Sequence, residues 1–267
     1  MAKNAVAVSQ PTSGAVAMIG GMDLEQFAGA GLQEVKATDL AIPFLRILAQ
    51  LSPQVNKRDG AYVQGAEAGD IYHTVSNTAF KGADGITVVP CYFQHRYLEW
   101  KPREKGGGFV GTYRADDPIV KSTRRDDRGN DVLPNGNYLV NTYQFFVLLL
   151  TEEGPQRCMV AMSSSQVTKA KKWLTVMESQ TFRASNGNLL TYPMFYNKYK
   201  MVTVPQQNDK GSWYGWEIQK VGPLAEDEAH IFQMGAQFMK AISAGDVVIR
   251  EDSDETSAPA HTHDDIL

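Results

Sequence analysis

Two long stretches dense in β-branched and aromatic residues constrain this chain more than any other feature of its sequence. They span residues 86–100 and 138–150. Such side chains suit the pleated, half-buried surface of a sheet, so each stretch predicts a strand well above the usual length of about 5–6 residues. Pro90 interrupts the first stretch and cannot donate a ladder hydrogen bond, which indicates an edge or a bulge at that point.

A polar segment, residues 101–137, connects these two stretches. It begins Lys-Pro-Arg-Glu-Lys-Gly-Gly-Gly-Phe and ends at the turn signal Pro134-Asn135-Gly136. A connection this long is usually functional or disordered, so we expect a long loop or hairpin that projects from the sheet. Glycines 106–108 have neither the Walker A nor the dinucleotide-binding spacing, and they predict a flexible tip or a hinge in a ligand-contacting loop.

Shorter periodic segments complete the element order. Strands are predicted over residues 157–162, 199–204 and 213–221. The sequence Asn-Asp-Lys-Gly at residues 208–211 predicts a hairpin turn between the last two strands. Helices with one apolar face are expected from Ser163 to about residue 180 and over about residues 226–243.

The N-terminal part also predicts a helix, between Met22 and Leu51. Thr38 or Asp39 would cap it, because their side-chain oxygens accept hydrogen bonds from the first helical amides. Its apolar residues recur at steps of three and four and would line one helical face. These residues are Leu40, Phe44, Ile47, Leu48 and Leu51.

The order strand, strand, strand, helix, strand, strand is that of the OB fold, a small Greek-key β-barrel that binds oligonucleotides. The predicted fold class is therefore mainly β with added helices (α+β). In detail, we expect a five-stranded OB-like Greek-key barrel with a long inserted loop or hairpin and flanking N- and C-terminal helices. The expected regions are a disordered arm at residues 1–22, the barrel domain at 23–245 and a disordered acidic tail at 246–267.

The charged residues are unevenly distributed. The whole chain has a formal charge of −4, and residues 251–267, with six acidic residues and neither lysine nor arginine, contribute −6, which leaves +2 for residues 1–250. Between Arg157 and Lys220, nine basic residues outnumber three acidic ones. A mildly basic body beside an acidic tail indicates a polyanionic partner.

The remaining composition favours a cytoplasmic protein. Cys91 and Cys158 each stand alone in an apolar context, which predicts two buried, reduced thiols and no disulfide. No secretory signal or membrane-spanning segment is expected, because no apolar run approaches about 20 residues. The oligomeric state stays open, and a homo-oligomer is one alternative.

Aromatic and basic residues are interleaved at several positions. Aromatic rings stack on unpaired bases while lysine and arginine neutralise phosphates, so this pattern predicts a surface for single-stranded DNA. Trp100, Phe109 and Tyr113 are the preferred stacking candidates because they are expected in an exposed loop. The candidate DNA-binding residues are Phe93, Arg96, Tyr97, Trp100, Lys101, Arg103, Lys105, Phe109, Tyr113, Arg114, Arg124, Arg125, Lys198, Lys200, Lys210 and Trp213.

On these residues the chain resembles the single-stranded DNA-binding proteins of bacteriophages. The resemblance is carried by the segment Glu-Trp-Lys-Pro-Arg-Glu-Lys-Gly-Gly-Gly-Phe at 99–109, by Asn-Asp-Lys-Gly-Ser-Trp-Tyr at 208–214, and by the acidic end. It implies an OB fold, cooperative coating of single strands in phage DNA replication or recombination, and a cytoplasmic location in an infected bacterium.

The resemblance also implies a role for the tail. Acidic residues followed by terminal apolar ones suit a basic, apolar pocket on a replication protein such as a polymerase, helicase or nuclease, and the same tail would compete with DNA. Such tails often end in phenylalanine, whereas this chain ends in leucine. The partner-binding residues would be Asp264, Asp265, Ile266 and Leu267.

Three other functions remain open. The same residues would serve a single-strand annealing recombination protein. A virion or structural role is a further alternative, and a metal-dependent nuclease would use loop aspartates such as Asp126. The sequence contains no zinc-protease or nucleophile-elbow motif. We therefore expect no enzyme activity, no catalytic residue, no cofactor and no metal site, and His261 and His263 in the tail do not complete one.

Overall fold

A computed structural model of the protein describes residues 18–35, 41–209 and 211–245. The described residues 18–35 belong to one compact unit and those from Ala41 onward to another. The strands are β1 Met18–Ile19, β2 Met22–Asp23, β3 Leu45–Ile47, β4 Ile71–His73, β5 Thr78–Phe80, β6 Ile86–Trp100, β7 Phe109–Arg114, β8 Arg124–Arg125, β9 Asp131–Val132, β10 Tyr138–Thr151, β11 Gly154–Ser163, β12 Thr181–Arg183, β13 Leu189–Thr191, β14 Asn197–Asn208 and β15 Gly211–Pro223. The helices are α1 Val167–Glu178 and α2 Ala229–Ala244.

Strands β6 and β10 form the centre of the second unit. They pair antiparallel from Trp100 with Tyr138 to Thr87 with Leu150. The ladder has one irregularity, because Tyr92 pairs with Phe146 and Pro90 with Val147, which leaves Cys91 without an opposite residue. Both long strands are thus confirmed, and the predicted interruption at Pro90 is a bulge.

Three more strands extend this pair into a five-stranded antiparallel sheet, which we call the body. Its strand order is β15-β14-β6-β10-β11, and the sheet curls into a half-barrel. Strand β14 returns after α1 to lie beside β6, which gives the Greek-key order. The hairpin between β14 and β15 occurs at its predicted place, since Asn208 pairs with Gly211.

The far ends of β6 and β10 carry a second group of strands, which we call the extension. Strand β7 pairs with β6, and the short strands β9 and β8 continue from β10. Ten of the 37 residues of the polar segment predicted as a projecting loop or hairpin, those of β7, β8 and β9, therefore belong to the same sheet, and its other residues connect these strands.

Two helices cover opposite faces of the body. On the first face, Tyr143, Phe145, Val147 and Leu149 share a core with Trp173 of α1. On the second face, Phe146 and Leu148 pack with Ile231, Phe238 and Ile242 of α2. Alternate residues of β10 point to opposite faces, so this single apolar strand contributes to both cores. Within the described residues, no helix is long and apolar enough to cross a membrane.

The predicted N-terminal helix is wrong. Residues 18–27 form the β1–β2 hairpin and one 3₁₀ turn, and residues 45–47 form β3, which pairs with β4. Phe44 packs in the second-face core and the neighbouring Leu45 in the first-face core, as alternation along an extended chain requires. A short apolar run does not distinguish a helix from a strand by spacing alone, and pairing with β4 decides the outcome here. The proposed caps Thr38 and Asp39 lie outside the described residues.

The two cysteines are free and buried, as predicted. Burial raises the pKa of both the Cys91 and the Cys158 thiol to about 12. Both thiols are therefore neutral and unreactive at ordinary pH.

The close approach of α2 to Phe195, in the turn that precedes β14, depends on Gly235. A β-carbon at this position would lie 2.7 Å from Cβ of Phe195. We expect Gly235→Val to lower the free energy of unfolding by about 1–3 kcal/mol, because the added methyl groups overpack this contact. Helix propensity alone predicts no such loss, since valine is a better helix former than glycine. Urea denaturation checks this, with exposed Gln237→Val on the same helix as the control; equal effects of the two substitutions would contradict it.

Candidate functional site

A row of aromatic rings runs along the first face from the body core into the extension. Phe145 is fully buried, and its ring centroid lies 5.2 Å from that of Phe93. Phe93 lies 5.5 Å from Tyr143, Tyr143 lies 4.6 Å from His95, and His95 lies 5.2 Å from Tyr97. Phe93, His95 and Tyr97 are half-buried. The row thus begins in the core and ends in rings that solvent reaches.

The outer end of this row is fixed by neighbours on the same face. A ring nitrogen of His95, Nε2, lies 2.8 Å from Oδ1 of Asn141. Tyr97 is the cross-strand partner of both Asn141 and Tyr113. Burial raises the pKa of Tyr97, with smaller electrostatic contributions from Tyr143 and Asp131. The outer rings are therefore held in place by the two central strands and β7.

A buried carboxylate ties the base of the extension together. Glu99 is 2 % exposed and accepts hydrogen bonds from the hydroxyl of Tyr113 at 2.6 Å and from Nδ2 of Asn135 and Asn137 at 2.9 and 2.6 Å. Burial pushes the pKa of Glu99 upward, but the three hydrogen bonds outweigh it, so the pKa lies below its usual range. Hydrogen bonding to Glu99 raises the pKa of Tyr113 to about 12. A carboxylate and a neutral phenol are the stable forms.

Removing this carboxylate is expected to loosen the extension. In Glu99→Gln the side-chain NH₂ group, itself a donor, faces the hydrogen-bond donors that the carboxylate accepted from. We therefore expect the free energy of unfolding to fall by about 1–3 kcal/mol at neutral pH. Since the folded pKa is depressed, the stabilisation is present above the unfolded pKa of about 4.3 and is lost as the pH falls through the folded value. Chemical denaturation at several pH values checks this, with exposed Glu104→Gln as the control. A difference in unfolding free energy between wild type and Glu99→Gln that stays constant down to low pH would contradict this expectation.

The two arginines nearest the aromatic row lie on the other face. Arg96 lies between His95 and Tyr97 in β6, and Arg114 follows Tyr113 in β7, so alternation directs both guanidinium groups to the second face. The interleaving of aromatic and basic residues along the sequence predicts one surface that includes Arg96, Phe93 and Tyr97. The structure instead separates the extension into an aromatic face and an arginine face.

Trp100 does not lie in an exposed loop, contrary to expectation. It is the last residue of β6 and is 2 % exposed, with its ring 5.5 Å from the half-buried ring of Phe109 in an edge-to-face arrangement. Phe109 is likewise a strand residue, paired with Trp100 across β6 and β7. Trp100 is the last residue of the predicted strand and not a residue of the polar segment, and it packs on Phe109 of the neighbouring strand. The Trp100 ring therefore has no face open for stacking on a base.

Truncating Trp100 should accordingly affect folding. We expect Trp100→Ala to lower the free energy of unfolding by about 3–5 kcal/mol, the usual cost of deleting a buried large aromatic side chain. Thermal and urea denaturation check this, with Trp213→Ala, at a half-buried position, as the comparison. An unchanged stability of Trp100→Ala would contradict the burial of this ring.

The glycine-rich turn presents three basic residues, Lys101, Arg103 and Lys105, all of them exposed. Glycines 106–108 have φ values of 90°, 62° and 104°, a left-handed conformation that side chains other than glycine rarely adopt. Nζ of Lys105 lies 3.5 Å from the carbonyl oxygen of Asn135, so this lysine lies beside the Glu99 network.

The acidic residues of the extension make local contacts. Asp126 accepts hydrogen bonds from the backbone amides of Arg128 and Asn130 and so closes the turn between β8 and β9. Asp131 lies 3.4 Å from Nε of exposed Arg125, and Arg124 beside it is exposed as well. Within the ranges that the structure covers, no three His, Cys, Asp or Glu side chains are grouped to hold a metal ion.

The remaining candidates lie on β14 and β15, in the body. Nζ of Lys198 contacts both carboxylate oxygens of Glu228 at 2.6 and 2.7 Å, which ties β14 to the start of α2. Lys200 and Trp213 are half-buried, and Nε1 of Trp213 donates to Gln206. Lys210 and the tail residues Asp264, Asp265, Ile266 and Leu267 lie outside the described residues.

Three residues of the aromatic face were missed by the sequence analysis: His95, Asn141 and Tyr143. The signal for His95 was present, because alternation from Phe93 through His95 to Tyr97 places all three on one face. Asn141 and Tyr143 are recognisable only once the register between β6 and β10 is known.

The fold and this site define a mainly β protein whose central sheet carries an aromatic face on one side and an arginine pair on the other. A family model described as Pam3 phage gp34-like protein matches residues 12–248. The chain therefore belongs to the Pam3 phage gp34-like family, and its phage origin is supported. Neither the curated proteins nor the solved structures yielded a match.

Proposed function

We propose that this protein binds single-stranded DNA without catalysing a reaction and largely without sequence preference, in phage DNA replication or recombination. The observation that carries the proposal is the aromatic face, where rings anchored in the core continue outward to the half-buried His95 and Tyr97. Unpaired bases offer flat apolar surfaces to such rings, and stacking tolerates any base. In a duplex the bases are stacked on one another, so this mode of binding selects single strands.

The strand order of the body supports an OB-like fold. With β6, β10, β11, β14 and β15 as strands one to five, the sheet order is five-four-one-two-three, and α1 lies between strands three and four. OB folds bind oligonucleotides with the face of strands two and three and with the loops that follow strands one and four. The extension occupies the position of the loop after strand one.

The two faces of the body favour the extension as the binding surface. Helix α2 covers the second face, where Arg157 of β11 lies with its guanidinium carbon 5.5 Å from the ring centroid of Phe238. On the first face, α1 covers Phe145. Lys105 beside the Glu99 network and Arg125 at the outer end of β8 supply positive charge near the aromatic face. A bound strand would stack on the rings and place phosphates near these cations.

The acidic end has its own part in this proposal. The asymmetry between a formal charge of +2 for residues 1–250 and −6 for residues 251–267 supports a tail that competes with DNA and recruits replication proteins.

The proposal is tested by fluorescence anisotropy with a labelled poly-dT oligonucleotide, unlabelled duplex as competitor, and several salt concentrations. We expect binding that duplex does not displace and that weakens as salt rises, because phosphate contacts release counterions. Absence of binding at low salt would overturn the proposal. Cleavage of the oligonucleotide in the presence of Mg²⁺ would instead indicate a nuclease.

One substitution addresses the aromatic face directly. We expect Tyr97→Ala to weaken poly-dT binding by about 1–3 kcal/mol, because it removes one stacking ring, and Tyr97→Phe to retain most of the affinity. Phe232→Ala, which truncates an exposed aromatic residue of α2, is the control and should leave affinity unchanged. Equal affinities of wild type and Tyr97→Ala, with both folded by circular dichroism, would exclude this ring from the interface.

A further inference from the structure

We propose that Arg96 and Arg114 form a clamp for one phosphate group of the bound strand, on the face of the extension opposite the aromatic row. The identity of the ligand rests on the proposed function, since the phosphate belongs to single-stranded DNA. The clamp itself rests on the register, burial and charge of these two arginines.

The two arginines are direct cross-strand partners between β6 and β7. Directly opposite residues project from the same face with their β-carbons about 4.5–5.5 Å apart, and like charges in this position destabilise a sheet. Burial lowers the pKa of the Arg96 guanidinium, and the positive charge of Arg114 lowers it further. The fold therefore keeps the two guanidinium groups close together despite their electrostatic repulsion.

The carboxylate of Asp116 forms only a weak ion pair with Arg114. Nε of Arg114 lies 3.3 Å from Oδ1 of Asp116, but the two side chains are 75 % and 79 % exposed, so solvent screens the pair. Arg96 is better fixed, because its Nη1 donates to the carbonyl oxygen of His95 at 3.0 Å. An arginine held in place beside an exposed one suits an anion that both can reach, and the planar guanidinium matches phosphate oxygens.

The position of β7 connects this clamp to the aromatic face. In the part of the sheet that the structure covers, β7 pairs with β6 and has no strand on its other side. Its neighbouring residues Tyr113 and Arg114 point to opposite faces. A flexible single strand can therefore stack a base beside Tyr97 and Tyr113 and cross the exposed edge of β7 to bring a phosphodiester to the arginines.

The test compares wild type, Arg96→Gln, Arg114→Gln and the double variant, with exposed Arg58→Gln as the matched control. Two probes of equal length are titrated over a range of salt concentrations: poly-dT and an abasic deoxyribose-phosphate oligomer that has no bases to stack. Inorganic phosphate is titrated separately while the melting temperature is followed.

The salt slope is the slope of the logarithm of the binding constant against the logarithm of the salt concentration. If both arginines hold one phosphate, each single variant should lower the magnitude of this slope by about 0.7, the value for one contact on a single strand. With either probe, the magnitude of the salt slope should fall no further in the double variant than in a single variant. Phosphate should raise the melting temperature of wild type and of Arg58→Gln more than that of the double variant.

Unchanged slopes in all arginine variants would overturn the clamp and leave DNA binding by the aromatic face intact. Slope losses that add in the double variant would overturn a shared phosphate and indicate two separate contacts. If wild type binds neither oligomer, the proposed function fails. In that case the phosphate titration alone tests the clamp. Equal shifts of the melting temperature in wild type and the double variant would overturn it.

Discussion

The antiparallel pairing of β6 with β10 is the constraint on which the rest of the structure depends. Every other strand of the main sheet attaches to one of these two or to a strand that does. Their inner portions support the body and its two helix-covered faces, and their outer portions continue past the helices into the extension. A pair of shorter strands would give the body alone, without a surface on which aromatic and basic groups could be displayed.

The elements that the sequence predicts best are those whose local composition agrees with their final environment. Both long strands, α1, α2 and the hairpin after β14 follow from side-chain period and turn residues alone. The composition of the extension predicts only a long loop or hairpin, because β8 and β9 have two residues each and their pairing is dictated by β10. The spacing of apolar residues around Phe44 predicts a helix, because spacing in a short apolar run does not reveal the neighbouring strand.

The candidate site was predictable in residue type and less so in geometry. The aromatic and basic composition of residues 93–114 is evident in the sequence, but the exposure of each ring depends on contacts that form only in the fold. Trp100 is buried against Phe109, whereas Tyr97 keeps a solvent-accessible ring. Which groups share a face depends on the register, and the register changes at the unpaired Cys91.

The bulge at Cys91 determines which side chains of the extension share a face. Val89, Cys91 and Tyr92 all pack toward the α2 side, so the alternation of β6 is shifted by one position from Tyr92 onward. Without the shift, strict alternation would turn Phe93 and Tyr97 toward the α2 side and Arg96 away from it. The bulge therefore accommodates one extra residue in β6 while Phe93 and Tyr97 stay on the face opposite α2. In the gene, loss of the Cys91 codon would leave every later side chain of β6 on its present face, whereas loss of one codon from a regular part of the strand would turn the residues on one side of it to the opposite face.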